Sequence, residues 1–489
     1  MKPKPQEFPI VGSQNGLELL RKAYEAWSSA ADFRRRRERY KRYTYGRQWD
    51  DPVSLPDGSV VSELDLAMRS GKQPLTNNLI RRLVKSVVGK FRSDLRSNDI
   101  SPEIAKIHRI NSLDELDCRL LEEFLISGTA VQHVGSLHTP TVTVDNVNPT
   151  CFFVNPTIDP RGNDIEIIGS FSDISLTEVM RRFSHSDRRR AMRLRNIYAQ
   201  ASPPPMADIF GLSLVNDESF FHAADGKCRV YEVWTLDGFE RLRCHDPKTG
   251  EYYAVAASQE PAIRRANRSR QADERIVTKW EVAQIWRCHF LSPSGDILYI
   301  VDADEGCNFH PYVTKFYPLT DGEVHSFVED VIDQQRYVNR LITLIDHVMS
   351  SSAKGVLLFP ENQKPENQTW DDVVSSWATY NGIIAYKPEH NMPGPQQVVT
   401  NGNDVGAYEL LALEMRLFED ISGVTDALQG KEAQAGVSAT LYRQQTKNAV
   451  VALADLFETF NSFRSVRDDK AARLAATTQA DNQAAPAAL

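Results

Sequence analysis

The chain has 489 residues, 41% of them hydrophobic and 25% charged, with a formal net charge of −8 and a pI near 5.8. That length exceeds a usual single domain and can bury a large core, and the ordinary balance of residue types excludes a collagen-like, disordered or wholly coiled-coil protein. A mildly acidic chain also argues against a tight, static complex with nucleic acid, because phosphate contacts dominate such affinity.

In chain order, residues 1–15 read as a flexible arm whose start, Met1-Lys2-Pro3-Lys4-Pro5-Gln6-Glu7, lacks an apolar signal core. No apolar run is long enough to cross a bilayer, so the expectation is a soluble protein made in the cytoplasm. Residues 16–48 predict a helix, with Leu17, Leu20, Tyr24 and Trp27 on one side and a basic run over 34–42 in its second half. Helices are also expected over 74–98 and 112–127. Strands follow at 130–134, 142–144 and 165–168. Residues 175–200 predict a basic helix that includes Arg188-Arg189-Arg190, and Pro203-Pro204-Pro205 marks a break. The stretch 228–320 is strand-rich again, at 228–234, 251–255, 276–277, 283–287 and 297–300. Each basic run has two readings: a face for DNA or an acidic partner, or a solvated helix face that pairs with a neighbouring subunit.

Residues 325–352 carry apolar side chains at steps of three and four, from Phe327 and Val328 through Val338, Leu341, Ile342 and Ile345 to Val348 and Met349. Asp330, Asp333, Gln334, Arg336, Asn339, Arg340 and Asp346 fill the other faces. A helix over these 28 residues spans roughly 42 Å. An insert of about fifty residues then predicts a small α/β unit. It holds a strand at 355–359, a short helix from Trp370 capped by Thr369, a second strand at 382–386 and a third at 396–400. A second helix resumes near Asp404 with Tyr408, Leu411, Met415, Leu417, Phe418 and Ile421, and stops at Gly423. Gly430 and Gly436 bracket a loop, and a third helix starts near Val437. The tail after about 466 is polar and Ala-rich.

Catalytic signatures are absent from the sequence: there is no GxxxxGK[ST] phosphate loop, no GxGxxG after a strand, no HExxH and no GxSxG. The six cysteines are scattered. Cys244-His245 and Cys288-His289 pair metal-ligating types, but the two pairs lie farther apart than tetrahedral zinc ligands usually do, so they read as buried or strand-edge thiols. Asp302 and Asp304 are candidates for a divalent cation, or a solvated turn before Gly306.

The order helix, α/β insert, helix, Gly-bounded loop and helix resembles the core of tailed-bacteriophage portal proteins. The words that carry the resemblance are Asp333-Gln334-Gln335-Arg336-Tyr337-Val338-Asn339-Arg340, Gly355-Val356-Leu357, Ile421-Ser422-Gly423-Val424 and Ser438-Ala439-Thr440-Leu441-Tyr442-Arg443-Gln444-Gln445. Upstream come Tyr45-Gly46-Arg47-Gln48-Trp49 and Asn77-Asn78-Leu79-Ile80. The resemblance covers about residues 30–465. It implies an α+β portal fold with a mixed α/β wing over 1–324, a stem helix over 325–352, a clip over 353–402 and a second stem helix over 403–422. A channel loop over 423–436, a long wing helix over 437–466 and a polar tail or short crown over 467–489 complete it.

The resemblance also implies a ring at one capsid vertex, twelve copies in the virion, through which DNA is packaged and ejected. The implied partners are the chain itself, double-stranded DNA, the terminase large subunit, a head-tail adaptor, and the major capsid and scaffolding proteins. No membrane, cofactor, metal or enzymatic activity is implied. Gln429, Lys431, Glu432 and Gln434 are the expected DNA-facing residues of the loop. Arg443 and Lys447, one helical turn apart, are expected with Arg336 and Arg340 at the channel or between subunits. Trp370, Asp371, Asp372 and Trp377 are the expected docking residues of the clip. The rival reading is a metal-dependent nuclease, or other DNA-processing enzyme, that uses Asp and His residues of 289–330. A third is a ring adaptor, though adaptors are usually much shorter.

Overall fold

A computed structural model describes residues 15–95, 101–135, 141–184, 187–199, 218–302, 308–352, 356–378, 383–388, 393–398, 406–424, 451 and 453–484. The helices among them are α1 (Gly16–Ser29), α2 (Ala31–Thr44), α3 (Glu63–Arg69), α4 (Leu79–Asp94), α5 (Pro102–Asn111), α6 (Leu113–Ser127) and α7 (Leu176–Phe183). They continue with α8 (Arg188–Ala199), α9 (Glu218–Phe221), α10 (Glu260–Arg268), α11 (Ile332–Ser352), α12 (Trp370–Ala378), α13 (Ala407–Ser422) and α14 (Ala454–Ala484). The strands are β1 (Pro52–Ser54), β2 (Val60–Ser62), β3 (Thr129–Gly135), β4 (Thr143–Asn146), β5 (Phe152–Val154), β6 (Ile167–Ile174), β7 (Cys228–Asp246) and β8 (Glu251–Ala256). After these come β9 (Val277–Leu291), β10 (Ile297–Asp302), β11 (Tyr312–Phe316), β12 (Leu319–Thr320), β13 (Glu323–Val324), β14 (Val356–Leu358) and β15 (Gln396–Val398). The class is mixed α+β. The chain divides into two units. One holds Met1–Glu38, Phe91–Ser326 and Ala454–Leu489; the other holds Arg39–Lys90 and Phe327–Leu453.

The first unit is built on an antiparallel sheet of order β10-β9-β7-β6-β5, with β8 added to β7. Period-two alternation along its central strands serves both faces. Val230 and Trp234 of β7, with Cys288 and Phe290 of β9, pack under α7 and α8 through Val179, Phe183 and Leu194. Tyr231, Val233 and Leu291 point the other way, onto Leu19, Leu20, Ala23, Tyr24 and Trp27 of α1. Burying each such aliphatic or aromatic side chain contributes about 1.5–3 kcal/mol. The sequence suggests a strand only over 228–234 where β7 runs on to Asp246, and two short strands over 276–277 and 283–287 where β9 is continuous; the ladder holds its register through Asp237-Gly238, from Tyr231↔Leu291 to His245↔Val277. A smaller core of Leu242, Cys244, Val255, Ile263 and Ile276 supports that outer half.

A second sheet of order β11-β3-β4 lies in the same unit, and α14 packs on β3, β11 and α5. Helix α6 ends at Gly128 in the left-handed region (φ 72°). A Cβ there would collide with the carbonyls of His325 and Tyr317, so glycine is required on two counts. Helix α14 continues through residues expected as a polar tail, up to Ala484. Its alanines favour helix over coil, and Ala471 is buried.

In the second unit, α11 packs against α13, β1 pairs β2, and β14 pairs β15. Three expectations differ from the structure here. The helix expected from 325 begins at Ile332, after a 3₁₀ turn over Glu329–Val331. The helix expected from 74 begins at Leu79, because the preceding residues are held extended by side chains of α11. Residues 383–388 form no strand; among the described residues Gln396–Val398 is the segment that pairs with Val356–Leu358.

Candidate functional site

Helix α11 presents three polar residues at steps of four: Gln335, Asn339 and Thr343, all buried. Gln335 Oε1 accepts from the Leu79 and Ile80 amides at 2.8 and 3.2 Å, and its Nε2 donates to Asn77 O at 2.6 Å. Asn339 Oδ1 accepts from the Asn77 amide at 3.0 Å, and Thr343 Oγ1 from the Leu75 amide at 3.0 Å. Asn339 Nδ2 donates to Gln48 Oε1, and Gln48 Nε2 donates in turn to Tyr43 O at 2.8 Å. The ladder replaces the backbone partners that an extended segment would find in a sheet. Its signal is available in the sequence as an i, i+4, i+8 row, yet Asn339 reads there only as one of the residues that fill the faces beside the apolar stripe.

One residue further round α11, Arg336 and Arg340 both grip Glu63 of α3. Arg336 Nη2 lies 3.2 Å from Oε2, and Arg340 Nε donates to Oε1 at 2.7 Å. Burial works against the Arg336 cation, but Tyr43 and Glu63 outweigh it and raise its pKa. Arg340 remains half exposed. Next to this clamp, Asp51 collects Tyr43 Oη at 2.8 Å, Arg39 Nε at 2.9 Å and Arg42 Nη2 at 3.3 Å. Burial and the Asp51 contact push the Tyr43 phenol well above its ordinary pKa.

The predicted apolar stripe on α11 is covered at its start, half-buried at Ile342 and Ile345, and exposed at Val348 and Met349; Tyr337 and Leu344 lie outside that stripe. Val331, Ile332, Val338 and Leu341 are buried. Tyr337 and Leu344 of α11, and Leu413, Met415, Leu417 and Ile421 of α13, are 37–49% exposed, while Phe418 is buried.

In the insert, Thr369 and Asp372 cap α12 reciprocally. Asp372 Oδ2 accepts from the Thr369 amide at 2.8 Å, and Thr369 Oγ1 accepts from the Asp372 amide at 3.2 Å. The Thr369 contacts hold the Asp372 carboxyl below its usual range. Trp370 meets Phe359 edge-on at 5.9 Å and is 42% exposed; Asp371 is exposed and Trp377 half-buried. Gln429, Lys431, Glu432, Gln434, Arg443 and Lys447 lie outside the described residues.

The other chemical candidates disperse. Cys244 pairs with Thr278 and Cys288 with Trp234, so the two Cys-His pairs sit ten residues apart along the β7–β9 ladder, roughly 33 Å. Burial pushes the Cys288 thiol well up and the His310 imidazolium well down. Asp302 ends β10 opposite Arg287, and Asp304 lies outside the described residues. Among the described residues no group of three or more His, Cys, Asp or Glu is arranged to hold a metal ion, and no helix is long and apolar enough to cross a membrane.

The chain matches the family described as Phage P22-like portal protein over residues 142–476. No curated protein matches it at a significant level. A family match over well over half of the sequence, on a fold of mixed α+β class, establishes that the chain belongs to the phage P22-like portal proteins.

Proposed function

We propose that this portal protein closes its ring by burying the exposed apolar residues of α11 and α13 against neighbouring copies, with twelve subunits in the virion. The observation that carries the reading is the pair of packed helices whose Leu344, Leu413, Met415 and Ile421 stay exposed in the single chain. A heterologous contact that repeats and closes gives a cyclic ring. On this reading 325–352 and 403–422 are the stem, 353–402 the clip, and 1–324 with the helix after 437 the wing.

The channel loop over 423–436 then faces the duplex. Lys431 contacts phosphate, Glu432 keeps that contact weak, and Gln429 and Gln434 add uncharged hydrogen bonds. A conduit needs few simultaneous phosphate contacts, since each strengthens binding and resists sliding; a net charge of −8 suits that need. Arg443, Lys447 and the half-exposed Arg340 line the channel or pair across subunits. Trp370, Asp371, Asp372 and Trp377 dock the terminase large subunit during packaging and a head-tail adaptor afterwards. The capsid and scaffolding proteins surround the wing.

The test is a double variant, Lys431→Ala with Gln434→Ala. Ring images by negative stain should match the unaltered protein while packaged or retained DNA falls. Loss of the ring in that variant would show the loop to be structural instead.

A further inference from the structure

The two arginine-rich runs of the sequence have opposite environments in the structure. In the first, Arg37 is buried and bidentate on Glu123 at 2.6 and 2.8 Å, Arg39 and Arg42 converge on Asp51, and Arg34 stacks over Trp27. Those cations are taken up within the chain.

Helix α8 differs. Its twelve residues, RRRAMRLRNIYA, hold five arginines and no acid. Leu194, Ile197 and Tyr198 turn inward to the core beside Phe183. Arg190 follows them, donating to Leu298 O at 3.0 Å and lying over the Tyr299 ring. At 100° per residue, Arg188, Arg189, Arg193 and Arg195 fall on the remaining arc of about 160°, with Met192 and Asn196 between them. All six are exposed. Among the described residues none of these four guanidiniums is in an ion pair; the nearby Glu178 is held by Arg181 and Arg182.

We propose that this face of α8 binds the phosphate backbone of duplex DNA, as a contact separate from the channel loop. It rests on the portal assignment only in that duplex DNA is then the polyanion at hand. A protein partner of useful affinity needs an aromatic or aliphatic anchor at the centre of its footprint, and this arc offers Met192 alone. Phosphates need only cations, and the arc places four of them over about 10 Å of helix, enough for successive phosphates. In a chain of net charge −8 such a patch acts locally.

The test uses the assembled full-length protein and a fluorescein-labelled duplex of about 30 base pairs, titrated by anisotropy between about 50 and 300 mM salt. Replacing Arg188, Arg189, Arg193 and Arg195 together by Gln should cut affinity at least about tenfold at the lowest salt. It should also flatten the log K against log[salt] slope by about 2 to 4. The corresponding Lys variant should keep both. Unchanged affinity and slope in the Gln variant, or no duplex binding by the unaltered ring, overturns the proposal. So does a Gln variant that binds duplex normally but no longer enters capsids, which would assign the face to a protein partner. The Lys431→Ala, Gln434→Ala ring should retain the slope. If that ring loses solution binding while the Gln variant keeps it, α8 is excluded and the channel reading stands.

Discussion

Asp117 of α6 accepts from Arg464 Nε at 2.8 Å and from Arg467 Nη1 at 2.5 Å, both on α14, and all three side chains are buried. Arg467 also donates to Asp468 at 2.9 Å, which in turn meets His108 at 3.0 Å. Removing one member of a buried network strands the others without water. Asp117→Asn should therefore cost about 3–5 kcal/mol, read as a lowered denaturant midpoint with an unchanged m-value. A half-buried pair sets a pH window. His133 Nε2 lies 3.1 Å from Glu232 Oε1. Burial opposes both charges, but each partner outweighs it, holding His133 above 6.5 and Glu232 below 4.5. The His133 contribution is complete below 6.5 and is lost as pH rises through its folded value. The Glu232 contribution is present above 4.5 and is lost as pH falls. His133→Asn should lower the melting temperature more at about pH 6 than at about pH 9; an equal loss at both would refute the assignment. Neither network was legible in the sequence, because its members come from segments up to 360 residues apart.

At the level of elements, α11 is a three-sided rod. One side is apolar, one is the Gln335–Asn339–Thr343 ladder, and one is the arginine pair on Glu63. Gln335→Leu would keep the side chain's bulk but orphan the Leu79 and Ile80 amides and the Asn77 carbonyl. The expected loss is about 2–4 kcal/mol. Thr343→Val, which orphans the Leu75 amide only, should cost less, about 1–2 kcal/mol. Urea unfolding of the two variants compares them directly. Equal and negligible losses would mean that water replaces the ladder.

At the scale of the whole molecule, substitutions on α13 should separate folding from assembly. Phe418 is buried within one chain, so Phe418→Asp should unfold it, at a cost of several kcal/mol. Leu413 is half exposed within one chain, so Leu413→Asp should leave the circular dichroism and melting of the subunit near normal. Sedimentation should nonetheless shift from ring to monomer. A ring that persists in Leu413→Asp would remove α13 from the proposed subunit interface.

Periodicity needs only neighbours along the chain, so the existence of the helices that end at Ser352 and Ser422, the Thr369 N-cap and the strand-rich block after 228 are readable from sequence, while the start at Ile332 and the reciprocal bond to Asp372 are not. The ordered words that carry the portal resemblance are readable too, and the family match over residues 142–476 spans those from Asp333 onward. Tertiary structure alone decided which polar residues are buried. It placed Asn339 inside, set Arg37 on Glu123 and Arg39 and Arg42 on Asp51, and left Arg188, Arg189, Arg193 and Arg195 of α8 exposed. The reason is physical: a charged or amide side chain goes inside only where partners from distant segments complete its hydrogen bonds, and spacing along one strand of sequence does not record those partners.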